Sequence, residues 1–338
     1  QKDSILNPND YDYYSYRLAY NTNLDNITLN SRLKIKSQFI AGLYTNKISI
    51  KKSDSKGNNK LTVDFLSLYR TNGDYLINKA WDLRKMNNRI DVDLEHNYKY
   101  GYGNGKLNLE LRSSSLGSAY DYNTLSLSAK NNNKVEKLKI TTRAFFQIGT
   151  GSNWAEESKL GLAGANNEEL MNSKFTQADG FVTSDDMNYA YTTNHFHSGG
   201  GLNLRGYTGY LAPEFNADST IASFNYNGTS GGAFNTEIDF TAYLPYSIRR
   251  NNISSYLFAD AGIITSEQLT KENYKESFSD LRVDAGIGFT YTFRNFGPLE
   301  MVNPLVIRFD MPLFLNRAPA ADDDFVQMRW LIGINRAF

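Results

Sequence analysis

Along most of this chain, apolar and polar side chains alternate at every second position. In residues 106–112, Leu107, Leu109 and Leu111 alternate with Lys106, Asn108, Glu110 and Arg112. Strand side chains have period two, so one face of this segment suits hydrocarbon and the other suits water. Residues 89–95 repeat the pattern, with Ile90, Val92 and Leu94 against Arg89, Asp91, Asp93 and Glu95. So do residues 137–148, with Leu138, Ile140, Ala144, Phe146 and Ile148 against Lys137, Lys139, Arg143 and Gln147. Such runs, each roughly ten residues long and separated by turns and longer loops, encode a transmembrane β-barrel.

Composition agrees with this, and taken by itself fits a large soluble β-sandwich or propeller equally well. Mean hydropathy is -0.50, no segment keeps a 3.6-residue period, and no 18-residue apolar run offers a membrane helix. Aromatic residues make up 14%, with 23 Tyr and 20 Phe, enough for girdles at two membrane interfaces. The 36 basic and 36 acidic residues cancel, so no global field draws nucleic acid. The absence of Cys is compatible with an oxidising compartment and with others.

The expected fold is an all-β, transmembrane antiparallel barrel. Its strands are expected near 12–21, 33–52, 60–70, 86–100, 105–114, 122–130, 134–148, 234–245, 252–264, 281–294, 302–313 and 325–338. That makes twelve, or sixteen if four more precede Gln1. Splitting 33–52 at Tyr44-Thr45-Asn46 would give an odd number, so it is kept as one strand. Short turns are expected at 101–105, 131–133, 246–251 and 295–298, and long loops at 71–85, 149–233, 265–280 and 314–324. Residues 1–11 form a periplasmic lead-in to a barrel spanning 12–338, with its largest external loop at 149–233. Closure explains the architecture: an unpaired peptide group in hydrocarbon costs several kcal/mol, so no sheet edge can be left open there.

Within the largest loop lies Ser198-Gly199-Gly200-Gly201-Leu202-Asn203-Leu204-Arg205-Gly206-Tyr207. After it come Thr236-Glu237-Ile238-Asp239-Phe240, Leu257-Phe258-Ala259-Asp260-Ala261-Gly262, Gly286 and Gly288, Gly297-Pro298, and Pro304-Leu305-Val306-Ile307-Arg308. This order over residues 198–338 resembles the BamA/TpsB superfamily of outer-membrane assembly and translocation barrels, the barrel domain of the bacterial surface antigen family. The resemblance implies a loop folded toward the lumen, held by Leu204, Arg205, Gly206 and Tyr207, with Arg205 against Asp260 and Glu237 as second acceptor. A guanidinium fork suits that pairing. The strand phase set by Ile238, Phe240 and Ala242, and by Leu257, Ala259 and Ala261, also turns Glu237 and Asp260 inward, an agreement that is partly independent of the resemblance. The resemblance also implies an assembly signal in the final strand, carried here by Trp330, Ile332, Ile334 and Phe338. Arg336 stands where an aromatic residue is usual.

No catalytic chemistry is encoded: there is no His-Glu-x-x-His, Gly-x-Ser-x-Gly, Walker or dinucleotide motif. His195 and His197 lack partners that would complete a metal site, the glycines at 101, 103 and 105 read as a turn, and the acidic run 322–324 reads as a solvated loop. The expectation is therefore no enzyme and no cofactor. The chain would sit in the lipid bilayer of a bacterial outer membrane, with client polypeptide or accessory subunits as partners. Two alternatives are a barrel anchoring a fused or partner hydrolase, and a passive porin.

Overall fold

The computed structural model describes residues 2–4, 12–23, 30–40, 43–54, 56–70, 83–114, 117–172, 195–210, 212–215, 221–246, 252–268, 275–293, 305–318 and 324–338. The first nine strands are β1 (Lys2–Ser4), β2 (Asp12–Asn23), β3 (Asn30–Ile40), β4 (Leu43–Ser53), β5 (Asn59–Arg70), β6 (Met86–Tyr100), β7 (Gly103–Ser114), β8 (Asp121–Val135) and β9 (Leu138–Asn153). The long loop then contributes β10 (Leu160–Gly161), the helix α1 (Asn167–Asn172), β11 (Phe196–His197), β12 (Pro213–Phe215), β13 (Ile221–Phe224) and β14 (Asn227–Gly228). The chain returns to the wall as β15 (Gly231–Asp239), β16 (Ile253–Gln268), a hairpin arm β17 (Lys275–Phe278), β18 (Arg282–Phe293), β19 (Leu305–Leu315) and β20 (Leu331–Ile334).

The wall is one antiparallel sheet in the order β1 to β9, β15, β16, β18, β19, β20. Its outer surface is the apolar face. Leu94, Leu107, Leu111, Leu125, Leu127, Phe146, Ile148, Phe234 and Leu257 are exposed, while Arg89, Asp91, Thr124, Ser126, Gln147, Asn235 and Asp260 are buried. Register aligns the greasy residues across strands: Leu94 faces Leu109, which faces Leu127, which faces Phe146. At one rim of the wall the rings of His96, Tyr98 and Tyr100 stack along β6 at 6.0 and 5.9 Å, and the hydroxyls of Tyr98 and Tyr100 donate to Asn131 and Asn133. Amphipathic rings with one wet end suit a membrane interface.

Several boundaries differ from those expected. The segment 33–52 is two strands, β3 and β4, paired as Leu33↔Ile50 and Ile35↔Ile48. The sequence carried the sign of this: the apolar residues switch from odd positions (33, 35) to even ones (48, 50), which one regular strand cannot do. Residues 2–4 add an edge strand (Lys2↔Tyr14), so among the described residues the wall path holds fourteen strands rather than twelve. Residues 131–133 lie inside β8, opposite Gly105, Asn104 and Gly103, and the turn falls at Glu136, whose φ is 53°. Likewise the 101–105 turn shortens to 101–102, because β7 begins at Gly103. The strand expected at 234–245 stops at Asp239 and enters a short 3-10 turn (Thr241–Tyr243), so Phe240 and Ala242 lie off the strand. Residues 247–251 of the turn expected at 246–251, the turn expected at 295–298, and Phe175, Tyr189 and Tyr191 of the long loop lie outside the described residues.

Among the described residues, the first strands make no ladder with the last. β20 pairs with β19 on one side and in parallel with β11, from the long loop, on the other (Phe196↔Ile332, His197↔Gly333). The loop lies on the polar face of the wall and supplies what the wall lacks, an apolar core. Leu160, Leu162, Leu202, Leu204, Tyr207, Tyr210 and Ala212 pack with Ile264 and Leu315 of the wall.

If the outer face meets lipid, Leu127→Arg lowers the stability of the folded state in vesicles by about 2–4 kcal/mol near the bilayer midplane. Ser128→Arg, one residue along and facing inward, costs much less. Denaturant titration in lipid vesicles measures both, and equal losses would overturn the facing assignment.

Candidate functional site: the loop seat at Arg205

The glycine-rich entry to the motif is dictated by contact. Gly201 has φ +48°, and a Cβ there would lie 2.4 Å from the carbonyl oxygen of Gly161. Leu202 and Leu204 donate backbone hydrogen bonds to Gly161 (2.9 Å) and Leu162 (3.1 Å), so this stretch is zipped to the start of the same loop. Gly206 passes so close to β18 that a Cβ would come within 2.7 Å of the Asp284 side chain. Tyr207 then reaches across, its hydroxyl donating to Asn316 Oδ1 at 2.9 Å.

Between these glycines Arg205 projects into the wall with no exposed surface. Its Nε donates to Asp260 Oδ2 at 2.7 Å and its Nη2 to Asp260 Oδ1 at 3.3 Å, the two-pronged arrangement a guanidinium allows. Nη1 donates to Glu237 Oε1 at 2.9 Å and lies 3.6 Å from Asp310 Oδ2. Below it the guanidinium carbon sits 4.2 Å from the centre of the Phe258 ring, a cation–π contact. The structure thus brings together Arg205, Asp260 and Glu237, the residues named from sequence, with Leu204 in the apolar core and Gly206 and Tyr207 against β18 and β19.

It also adds residues that the sequence reading left out. Asp310 accepts from the Tyr256 hydroxyl and lies 3.2 Å from Arg308 Nη1. Asn235 donates to the carbonyls of Leu202 (3.2 Å) and Asn203 (3.1 Å) and to Asp260 Oδ1 (3.1 Å), while Arg143 donates to Asn235 Oδ1 (2.9 Å) and Gly201 O (2.7 Å). These side chains bind the loop backbone, a role no motif announces. For Arg308 and Asp310 a signal existed, since both share the inward phase of β19.

The C-terminal residues are arranged differently from the expected final strand. Trp330 and Ile332 are exposed on the outer side, but β20 ends at Ile334, and Asn335 takes φ 66°. The chain then turns inward. Phe338 lies with its ring centre 5.7 Å from the Arg205 guanidinium carbon and 5.9 Å from Lys130 Nζ. Arg336 donates to Glu237 Oε2 (3.3 Å) and Asp239 Oδ2 (2.9 Å). An arginine in place of an aromatic residue thus has a physical reason: it neutralises the two acids on β15 from inside the sheet.

His195 and His197 point apart. The His195 ring stacks on Trp330 at 3.7 Å. The buried His197 donates through Nε2 to Ala163 O (2.9 Å), leaving Nδ1 to accept from Arg308. No group of three or more metal-binding side chains occurs among the described residues.

No protein-family model matches the chain, and no curated protein matches it. Among solved structures it is similar to BamA from Haemophilus ducreyi lacking POTRA domains 1–3, with 12% identity and a TM-score of 0.49 over 94% of this chain and 62% of that one. It is also similar to CdiB from Acinetobacter baumannii, with 11% identity and a TM-score of 0.36 over 97% of this chain and 57% of that one. The chain therefore spans less than two thirds of either protein.

Removing Arg205 leaves three buried acids facing one another, whereas removing Asp260 leaves Arg205 with Glu237 and Asp310. Arg205→Ala is therefore expected to be the more damaging, by about 3–5 kcal/mol for a broken buried pair. The double variant is little worse than Arg205→Ala alone, because both changes break one interaction. Arg205→Lys does not restore the loss, since an ammonium cannot fork. Heat-modifiability on semi-native gels and denaturant titration give these values, and additive losses would argue against the pairing.

Proposed function

We propose that this chain is the membrane-embedded barrel of a bacterial outer-membrane protein of the BamA/TpsB type, which inserts or translocates client polypeptide. One observation carries the reading. The Arg of a Leu-Arg-Gly-Tyr segment is buried on the inner face of the wall, on an Asp and a Glu from two adjacent strands, as the sequence resemblance implies. The outward apolar face and inward polar face support a membrane location. The reading assigns the chain no enzymatic step and no cofactor. Its partners are the bilayer, the client polypeptide and accessory subunits.

The loop body inside the sheet weighs against a passive porin. A pore meant to stay open has no use for an apolar core of Leu160, Leu162, Leu202 and Leu204 in its bore. In planar bilayers the reading predicts low conductance that rises in Arg205→Ala. A steady conductance indifferent to that substitution would favour a porin. To test the activity itself, the chain with its periplasmic partners is reconstituted in vesicles and the folding rate of a second outer-membrane barrel is followed. Faster folding than in empty vesicles is expected, and no acceleration together with no export of a substrate chain would contradict the proposal.

A further inference from the structure

The long loop touches the wall in a second place, four strands away from the Arg205 seat. Arg89 of β6 is 2% exposed. It holds Glu168 of α1 through both terminal nitrogens and Asp91 through Nε at 2.8 Å. Around it, Asn87 donates to Glu157 Oε1 (2.8 Å), Tyr122 donates to Asn87 Oδ1 (2.9 Å), and Ser158 donates to Glu168 Oε2 (3.1 Å). The charges are reversed relative to the first seat: there the loop brings the cation and the wall the acids, whereas here the wall brings the cation and the loop the acid.

The two places are joined through the loop itself. Glu157, Ser158 and Glu168 flank Leu160 and Leu162, which share one apolar cluster with Leu202 and Leu204. Ala165 also donates to Ser198 O at 2.9 Å. Both seats therefore hold one and the same loop body. Beside Arg89 lies a charged chamber of about 520 Å³, lined by Lys60, Glu95, Lys106 and Arg112 among others.

We infer that Arg89 and Glu168 form a second clamp, and that the loop leaves the bore only when both this clamp and the Arg205 seat have let go. The inference rests on the reading of the loop as the stopper of the bore. Single-channel recording of the whole chain in planar bilayers tests it. Glu168→Ala is expected to raise the open fraction about tenfold or more, because it takes away the acid that ties the loop to Arg89 and leaves the guanidinium buried with Asp91 alone. Arg205→Ala with Glu168→Ala is expected to multiply the two single effects, since the sites share no partner. The exchange Arg89→Glu with Glu168→Arg is expected to bring the open fraction back toward the unmodified level.

Should Glu168→Ala fail to migrate as a folded, heat-modifiable band, Glu168→Gln keeps the shape and removes the charge, and must show the same rise. If Arg205→Ala opens the pore while both Glu168 variants behave as the unmodified protein, the second clamp is wrong and the stopper reading stands. If neither Arg205→Ala nor the Glu168 variants change the conductance, the stopper reading itself fails.

Discussion

A peptide group in hydrocarbon has no water to bond to, and the proposed membrane location makes that the constraint on which the wall depends. The backbone must be satisfied by its neighbours, which an antiparallel sheet achieves strand by strand. Once the strands are committed to a ladder, side chains fall alternately on two faces, and the outer one is released from any need to be polar. The inner face becomes a water-side surface rich in charge. Whatever enters the bore must meet that charge with its own, and so the loop is seated by ion pairs at Arg205 and Arg89 while its leucines pack on each other.

The ion pairs decide position more than stability. Bringing a guanidinium and carboxylates out of water costs several kcal/mol per ion, and their attraction recovers this only with good geometry and further hydrogen bonds. Around Arg205 those conditions are met: Asp260 accepts from Arg205 and from Asn235, and Glu237 is shared between Arg205 and Arg336. A loop displaced by one residue would leave three buried acids facing one another. The arrangement therefore penalises every register but one.

Much of this was legible before any coordinates, because period two is a local signal. The inward placement of Glu237 and Asp260 followed from the apolar residues beside them, and the alternation on β6 to β9 survived intact. What escaped was information that period two does not carry. It cannot place a turn within a polar run, so 131–133 read as a turn when those asparagines sit in β8, where Asn131 and Asn133 accept hydrogen bonds from Tyr98 and Tyr100. Nor does it show that the chain after Ile334 bends inward to bring Arg336 and Phe338 beneath the loop. The Arg89 clamp escaped for another reason: its partner lies 79 residues away on a helix of six residues, and nothing in either segment marks the pair.

The central claim is that the outer face of this sheet meets lipid and the inner face meets water. Because the chain contains no cysteine, single cysteines can be placed at 124 through 128 on β8, spin-labelled, and the protein returned to vesicles. Collision with oxygen and with a polar nickel complex is then measured at each position. The account predicts oxygen contact peaking at 125 and 127 and nickel contact, where either reagent reaches, confined to 124, 126 and 128. Contact with nickel at all five positions, or no alternation at all, would contradict it.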